Sequence, residues 1–286
     1  MPGAGPRPEA GVDTRPGAAT VRLTALGTQG WVPTVARETT CFAVDEGRLL
    51  FIFDAGTGLG RLLRPPASQL LAGAEEIHLF LTHYHLDHVC GLAYLPAIFA
   101  GRTLTVHVPD ASLNGVDPQR GVPELIRKPY NPHAWNEQPD FVLQTLHEGA
   151  NEVAGHELRL RAQCHPDTTV AYRLDDLLAL ATDTVADPQT ADFARGVEVL
   201  LHESWIDGLE EDDPGSADLV RTTYLAHSSA RQAAALAAQA GVGELVLMHL
   251  NPLRGEDYYA QMQASAREIF AATSVYPDLH ERALGV

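Results

Sequence analysis

Thr82-His83-Tyr84-His85-Leu86-Asp87-His88 places three imidazoles and one carboxylate within six residues. The segment directly follows the apolar run Ile77–Leu81, which reads as a buried strand, and precedes Val89–Phe99, predicted as a helix. Side chains alternate along extended backbone, so His83 and His85 point the same way and can grip one ion from one side. Asp87 and His88 fall where the chain turns into the helix, so they aim at a second point nearby. Nitrogen and oxygen donors of this kind suit Zn²⁺, with Mn and Fe as alternatives.

Four donors from one loop do not close two metal sites. Moving outward, His165 follows a strand predicted at Leu158–Ala162, Asp183 one at Leu177–Ala181, and His249 one at Glu244–Met248. A polar residue just past an apolar strand sits at a sheet edge, so all three can gather beside the histidine cluster. Further strands are predicted at Val21–Leu26, Thr40–Val44, Leu49–Phe53, Thr103–Val108, Thr169–Leu174 and Val197–Leu201. Helices are predicted over part of 59–71, over 229–240, ended by Gly241, and over 256–272. Two sets of strands, each followed by helix, predict an α/β protein with two sheets between helices, a four-layer αβ/βα sandwich. It is read as a single domain over 21–286, with an insertion or lid at about 109–152 and a disordered tail at 1–20.

Composition narrows the function. The chain has 286 residues, 45% hydrophobic and 20% charged, ordinary values for a globular protein. No stretch reaches the roughly 20 apolar residues of a membrane span. The Pro-, Gly- and Ala-rich start lacks the apolar core of a secretion signal, so a cytoplasmic location is expected. The formal charge is −17, and Lys128 is the single lysine. Such a chain repels polyanions at long range, which disfavours structured nucleic acid as a partner and favours a small-molecule substrate. A homodimer is left open. Cys41, Cys90 and Cys164 form no metal knuckle and read as small apolar packers, with Cys164 expected to lie buried beside His165.

The His-x-His-x-Asp-His motif, His165, Asp183 within Ala181-Thr182-Asp183-Thr184, and His249 together resemble the metallo-β-lactamase superfamily. The early Gly27 and Asp54-Ala55-Gly56 turns fit the same pattern. The resemblance implies that His83, His85 and His165 hold one metal, that Asp87, His88 and His249 hold the other, and that Asp183 bridges them. A hydroxide between the ions would be the nucleophile, with Asp87 part of the catalytic centre. Redox members of the superfamily replace the second histidine of the motif with Glu; His85 therefore favours hydrolysis.

His227-Ser228-Ser229-Ala230, the Ala-rich helix and Leu245–His249 are similar to the phosphodiesterase branch that includes ribonuclease Z. So is Leu201-His202-Glu203 ahead of an acidic stretch. The similarity implies that His227 touches the scissile phosphate and helps protonate the leaving oxygen, with Ser228 beside it as a substrate contact. A helix N-terminus there would favour an anion. His202 and Glu203 are open between supporting and catalytic roles. Segment 109–152 carries only Arg120, Arg127 and Lys128 as cations, too few for a transfer-RNA clamp. Residues 128–130 and 133–135 instead suggest walls for a compact pocket. The expected substrate is a small phosphodiester; the alternatives are a lactone, thioester or β-lactam, or RNA processing of the ribonuclease Z type.

Overall fold

The structure is a computed structural model that describes residues 20–285. The predicted tail at 1–20 therefore lies, apart from Thr20, outside the described residues. Among the described residues, fourteen strands form two sheets. In chain order they are β1 (Val21–Gly27), β2 (Cys41–Asp45), β3 (Leu49–Phe53), β4 (Glu76–Phe80), β5 (Leu104–Pro109), β6 (Phe141–Leu146), β7 (Gly149–Val153), β8 (His156–Ala162), β9 (Val170–Leu174), β10 (Leu178–Ala181), β11 (Val199–Glu203), β12 (Glu244–Met248), β13 (Thr273–Val275) and β14 (Glu281–Leu284). One sheet runs β14-β1-β2-β3-β4-β5-β6 and the other β13-β12-β11-β10-β9-β8-β7.

The strand sequences explain the layering. In β3, Leu50 and Ile52 face helical segments on one side, while Phe51 and Phe53 face the second sheet on the other. A strand buried on both faces reads as a continuous apolar run. Phe51, Phe53, Phe80 and Tyr172 meet Leu180, Leu201, Val246 and Met248 between the sheets. Beyond the second sheet, Ala230, Ala233, Ala234 and Ala237 of helix Ala230–Ala240 lie on Leu200, Leu245 and Leu247. Small side chains let that helix approach the sheet closely. Four layers result, as the strand–helix order predicts.

Two expectations change. The helix predicted over 89–99 is broken into Leu86–Val89, a 3₁₀ turn Cys90–Tyr94 and Leu95–Ile98. The break occurs because Gly91 docks on the Asp54 turn: its N–H donates to the Ala55 carbonyl at 2.7 Å, and a Cβ there would lie 2.5 Å from the Gly56 oxygen. The segment 109–152 also carries regular structure. Its latter part forms β6 and most of β7, the edge strands of the two sheets, so only the stretch before them stands apart as an insertion. Among the described residues no helix is long and apolar enough to cross a membrane.

Candidate metal centre

Loops after β1, β4, β8, β10, β11 and β12 open on one pit of about 270 Å³, walled by Trp31, His85, Asp87, His165, Asp183, Trp205, His227 and His249. The chain turns sharply to bring them there. Asp54, Asp183 and His249 each follow a strand and each has positive φ, 60°, 46° and 51°. Non-glycine residues pay roughly 1–3 kcal/mol for that conformation, so three at one edge mark a place that the surrounding packing holds under strain.

The donor set is tightly gathered. Atoms of His83, His85 and Asp183 lie within 4.8 Å of one another, and so do those of Asp87, His88 and His249. His88 Nε2 is 3.1 Å from Asp183 Oδ2 and 3.4 Å from Asp87 Oδ2. His249 Nε2 is 3.3 Å from Asp87 Oδ2 and 3.4 Å from Asp183 Oδ2. Donors at about 2.0–2.2 Å from a tetrahedral ion are separated by about 3.3–3.6 Å, so these spacings suit ligands around a shared centre. The atoms left without partners agree: Nε2 of His83 and of His88 are buried and make no hydrogen bond. An orphaned buried polar atom costs about 1–3 kcal/mol, and a divalent cation would satisfy both nitrogens. The residues present therefore fit bound divalent ions.

Charge is arranged to match. Burial favours a neutral Asp183, but the imidazoles of His249, His88 and His83 outweigh it and hold the carboxyl well below its ordinary range. Burial, joined by the neighbouring imidazoles of His88 and His85, pushes His83 well below its ordinary value and favours its neutral form.

His165 reaches the same pit but groups with Asp183 and His227 instead of with His83 and His85. Its ring centroid is 6.4 Å from that of His83 and 5.8 Å from that of His85. Asp167, not anticipated from sequence, intervenes. Its carboxylate is 3.1 Å from His85 Nε2, and its N–H donates to His165 Nδ1 at 3.1 Å.

Other expectations are corrected. Ser228 is fully buried, and its hydroxyl donates to the Thr184 carbonyl at 2.7 Å, so it ties two loops together and does not face the pit. Ser229 caps helix Ala230–Ala240, with Gln232 completing the capping box. Cys164 is exposed and Cys41 is buried. Residues 128–135 line none of the clefts at the centre. Tyr130 is exposed and Trp135 packs on Phe141, while buried Asn131 donates to the Ala93 carbonyl.

Two supporting residues, Asp54 and Trp205, were given no role by the sequence, and Glu203, left open between two roles, stands behind His227. Asp54, fully buried, accepts from the Thr82 N–H at 2.8 Å and lies 2.7 Å from His88 Nδ1. A carboxylate behind a ligating imidazole fixes its tautomer and raises its basicity. Asp54→Asn keeps the shape, and Asn tolerates positive φ. It should weaken metal retention by about 10- to 100-fold in chelator competition, the usual worth of such a partner; unchanged retention would remove Asp54 from the centre. Glu203, also fully buried, lies 2.8 Å from His227 Nδ1. Trp205 stacks on the His227 ring at 4.7 Å and 14°. Phe53-Asp54 and His202-Glu203 share one signal with the chosen residues, a carboxylate at the end of an apolar strand.

The family profile described as "Beta-lactamase superfamily domain" matches residues 50–250. Ribonuclease BN of Escherichia coli K12 is 24% identical over 319 aligned residues, covering 90% of this chain and 98% of that protein. The metallo-beta-lactamase fold protein YhfI from Bacillus subtilis superposes with a TM-score of 0.69 at 18% identity, over 92% of this chain and 99% of that one. A diphosphatase from the PhnP family superposes with a TM-score of 0.63 at 16% identity, over 92% and 97%.

Proposed function

The chain belongs to the metallo-β-lactamase superfamily of hydrolases, and from that premise we propose that it is a dinuclear metal-dependent phosphodiesterase acting on a small phosphodiester. The observation that carries the reading is the His227–Glu203 pair beside the donor set, a positioned acid next to a place where two cations would sit. His83, His85, His165, Asp183, Asp87, His88 and His249 would hold the ions, most simply zinc, with Asp183 between the two groups. Bound divalent ions supply a water of lowered pKa and a Lewis acid at the phosphoryl oxygen.

The side chains do the remaining work. Asp54 orients His88, and Thr82 Oγ lies 3.0 Å from His83 Nδ1, which leaves the Nε2 of each free on the Asp183 side. His227 is placed to carry a proton, with Glu203 behind its Nδ1. Burial opposes its charge, but the neighbouring Glu203 carboxylate, by charge and by hydrogen bond, and then Asp183 and Asp87 raise it to about 9. With Nδ1 committed to Glu203, the other nitrogen is the one that can give its proton to a leaving oxygen.

Charge favours a small substrate. Each phosphate contact made by a cation adds about one unit to the salt slope of binding, and a chain of −17 with one lysine offers few. Local cations can still hold one phosphate against the distant field. Turnover of bis(p-nitrophenyl) phosphate should therefore change by no more than about twofold between low and moderate salt, where an RNA-clamping protein loses orders of magnitude. Efficient, steeply salt-sensitive trimming of precursor transfer RNA would restore the RNA-processing reading that the likeness to ribonuclease BN keeps open. Absence of diester turnover beside fast lactone or thioester hydrolysis would move the enzyme to the ester-cleaving reading.

A further inference from the structure

Two clefts leave the central pit in different directions, and they differ in chemistry. One, of about 350 Å³, runs past His83 and His85 between Tyr84, Asn114, Val116, Pro166, Asp167 and Thr168 and mixes polar with apolar groups. The other, of about 490 Å³, shares Trp31, His85 and Asp87 with the pit and continues between Trp31, Val32, Pro33, Leu86 and Cys90. Its walls are apolar and open to solvent: Trp31 is 59% and Leu86 70% exposed. Large apolar side chains left uncovered at the mouth of a site are unfavourable unless something apolar covers them.

These walls are held in place by the centre itself. Leu86 lies between His85 and Asp87, so the motif that gathers the ligands fixes its position. The Trp31 N–H donates to Asp87 Oδ2 at 2.7 Å, and Trp31 takes a φ of 61° to do so. Gly30, just before it, donates to the Leu250 carbonyl at 3.0 Å, and a Cβ at Gly30 would lie 2.6 Å from the His249 ring. Only glycine lets the loop press this closely on a ligand. The Trp31 backbone is thus pinned to the reacting centre, which places its side chain at the lip of the pit.

We infer that the Trp31–Leu86 cleft is the subsite for an aromatic substituent of the phosphoryl substrate, and that Trp31 determines specificity for it. This rests on the phosphoester reading above. A planar group would lie against the indole face, and Val32, Pro33 and Leu86 would exclude water from its edges. A substrate arm of polar or sugar character belongs in the opposite cleft, beside Asn114 and Thr168.

The test is a binding titration of the metal-loaded protein with phenylphosphonate and with methylphosphonate, which share a head group and differ only in the ring. The wild type should bind phenylphosphonate about tenfold more tightly, on the order of what burial of a ring against apolar walls provides. Trp31→Ala should abolish the preference while leaving methylphosphonate affinity within about twofold, and Trp31→Phe should retain most of it. An equal loss for both ligands would make Trp31 only a prop for Asp87 and overturn the inference, as would a preference absent in the wild type or untouched in Trp31→Ala. The two readings fail separately. A ring preference without any diester turnover would sink the proposed reaction and leave the subsite standing. Diester turnover without a ring preference would do the reverse, and binding of neither phosphonate would count against both.

Discussion

Asp183→Ala is expected to lose at least one equivalent of bound metal and to lower kcat/KM by roughly 10³-fold or more. Metal-assisted stabilisation is worth several kcal/mol, and each ~1.4 kcal/mol is tenfold in rate. The residue earns this weight by position. It belongs to two of the donor clusters, one with His83 and His85 and one with His165 and His227. It also stands 3.1 Å from His88 and 3.4 Å from His249, which form another cluster with Asp87. No other carboxylate in the pit spans the groups in this way among the described residues; Asp87 contacts only the His88–His249 side. The loss should not be one of folding. Asp183 lies past the end of β10, and the apolar contacts of Leu178 and Leu180 between the sheets do not involve it. Metal content by elemental analysis, activity on a diester and a thermal melt of the metal-free protein together check the point. A variant with full turnover and two metals would refute the assignment, and one that fails to fold would relocate the effect to the strained turn at φ 46°.

How much of this was readable beforehand depends on the range of each interaction. The spacing of His83, His85, Asp87 and His88 is local, and alternation along extended backbone fixes where the first two point, so the core of the centre could be read from six residues. His165, Asp183 and His249 were legible because apolar strands announce their own ends. Strand polarity hid other features. β7 exposes most of its length, and β6 is fully buried only at its two ends, with Gln144 and Thr145 breaking its apolar start, so neither gives a long apolar run. β13 and β14 are three and four residues long and are defined only by pairing with β12 and β1.

The supporting partners were hidden for a different reason. Asp54 and His88 are 34 residues apart, Glu203 and His227 are 24 apart, and nothing in the local pattern of either member names the other. Ser228 misled because a hydroxyl beside a functional histidine is read as a contact, whereas the closure of the Thr184 loop had already claimed it. Asp167 follows His165 so closely that a search for ligands passes over it, yet it is what engages His85 from the far side. Residues whose duty is set by backbone closure become visible only once the sheets are assembled.

His227→Ala tests the chemistry where Asp183→Ala tests the metal. The side chain should be dispensable for metal content and costly for turnover, with kcat on a phosphodiester falling by ~10² to 10⁴, the usual worth of a positioned acid. Its surroundings leave little else for it to do. Glu203 holds Nδ1 at 2.8 Å, Trp205 stacks on one face at 4.7 Å, and the His249 ring lies 5.7 Å away at 26°. The ring is therefore fixed in plane and rotation, with one nitrogen in the pit near Asp183. The effect should depend on the leaving group. A p-nitrophenolate leaves without a proton, so its loss should sit at the low end of the range, while a diester with an alkoxide leaving group should suffer at the high end. A pH profile adds an independent check with a definite sign. Burial pulls His227 down and Glu203 more than restores it, to about 9; Glu203→Gln removes the charge that raises it. An acid that must be protonated fails as pH rises through its pKa, so the alkaline limb of kcat should move to lower pH in Glu203→Gln and disappear in His227→Ala. Loss of metal in His227→Ala would place His227 among the ligands, and an unchanged alkaline limb in Glu203→Gln would show that another group supplies the proton.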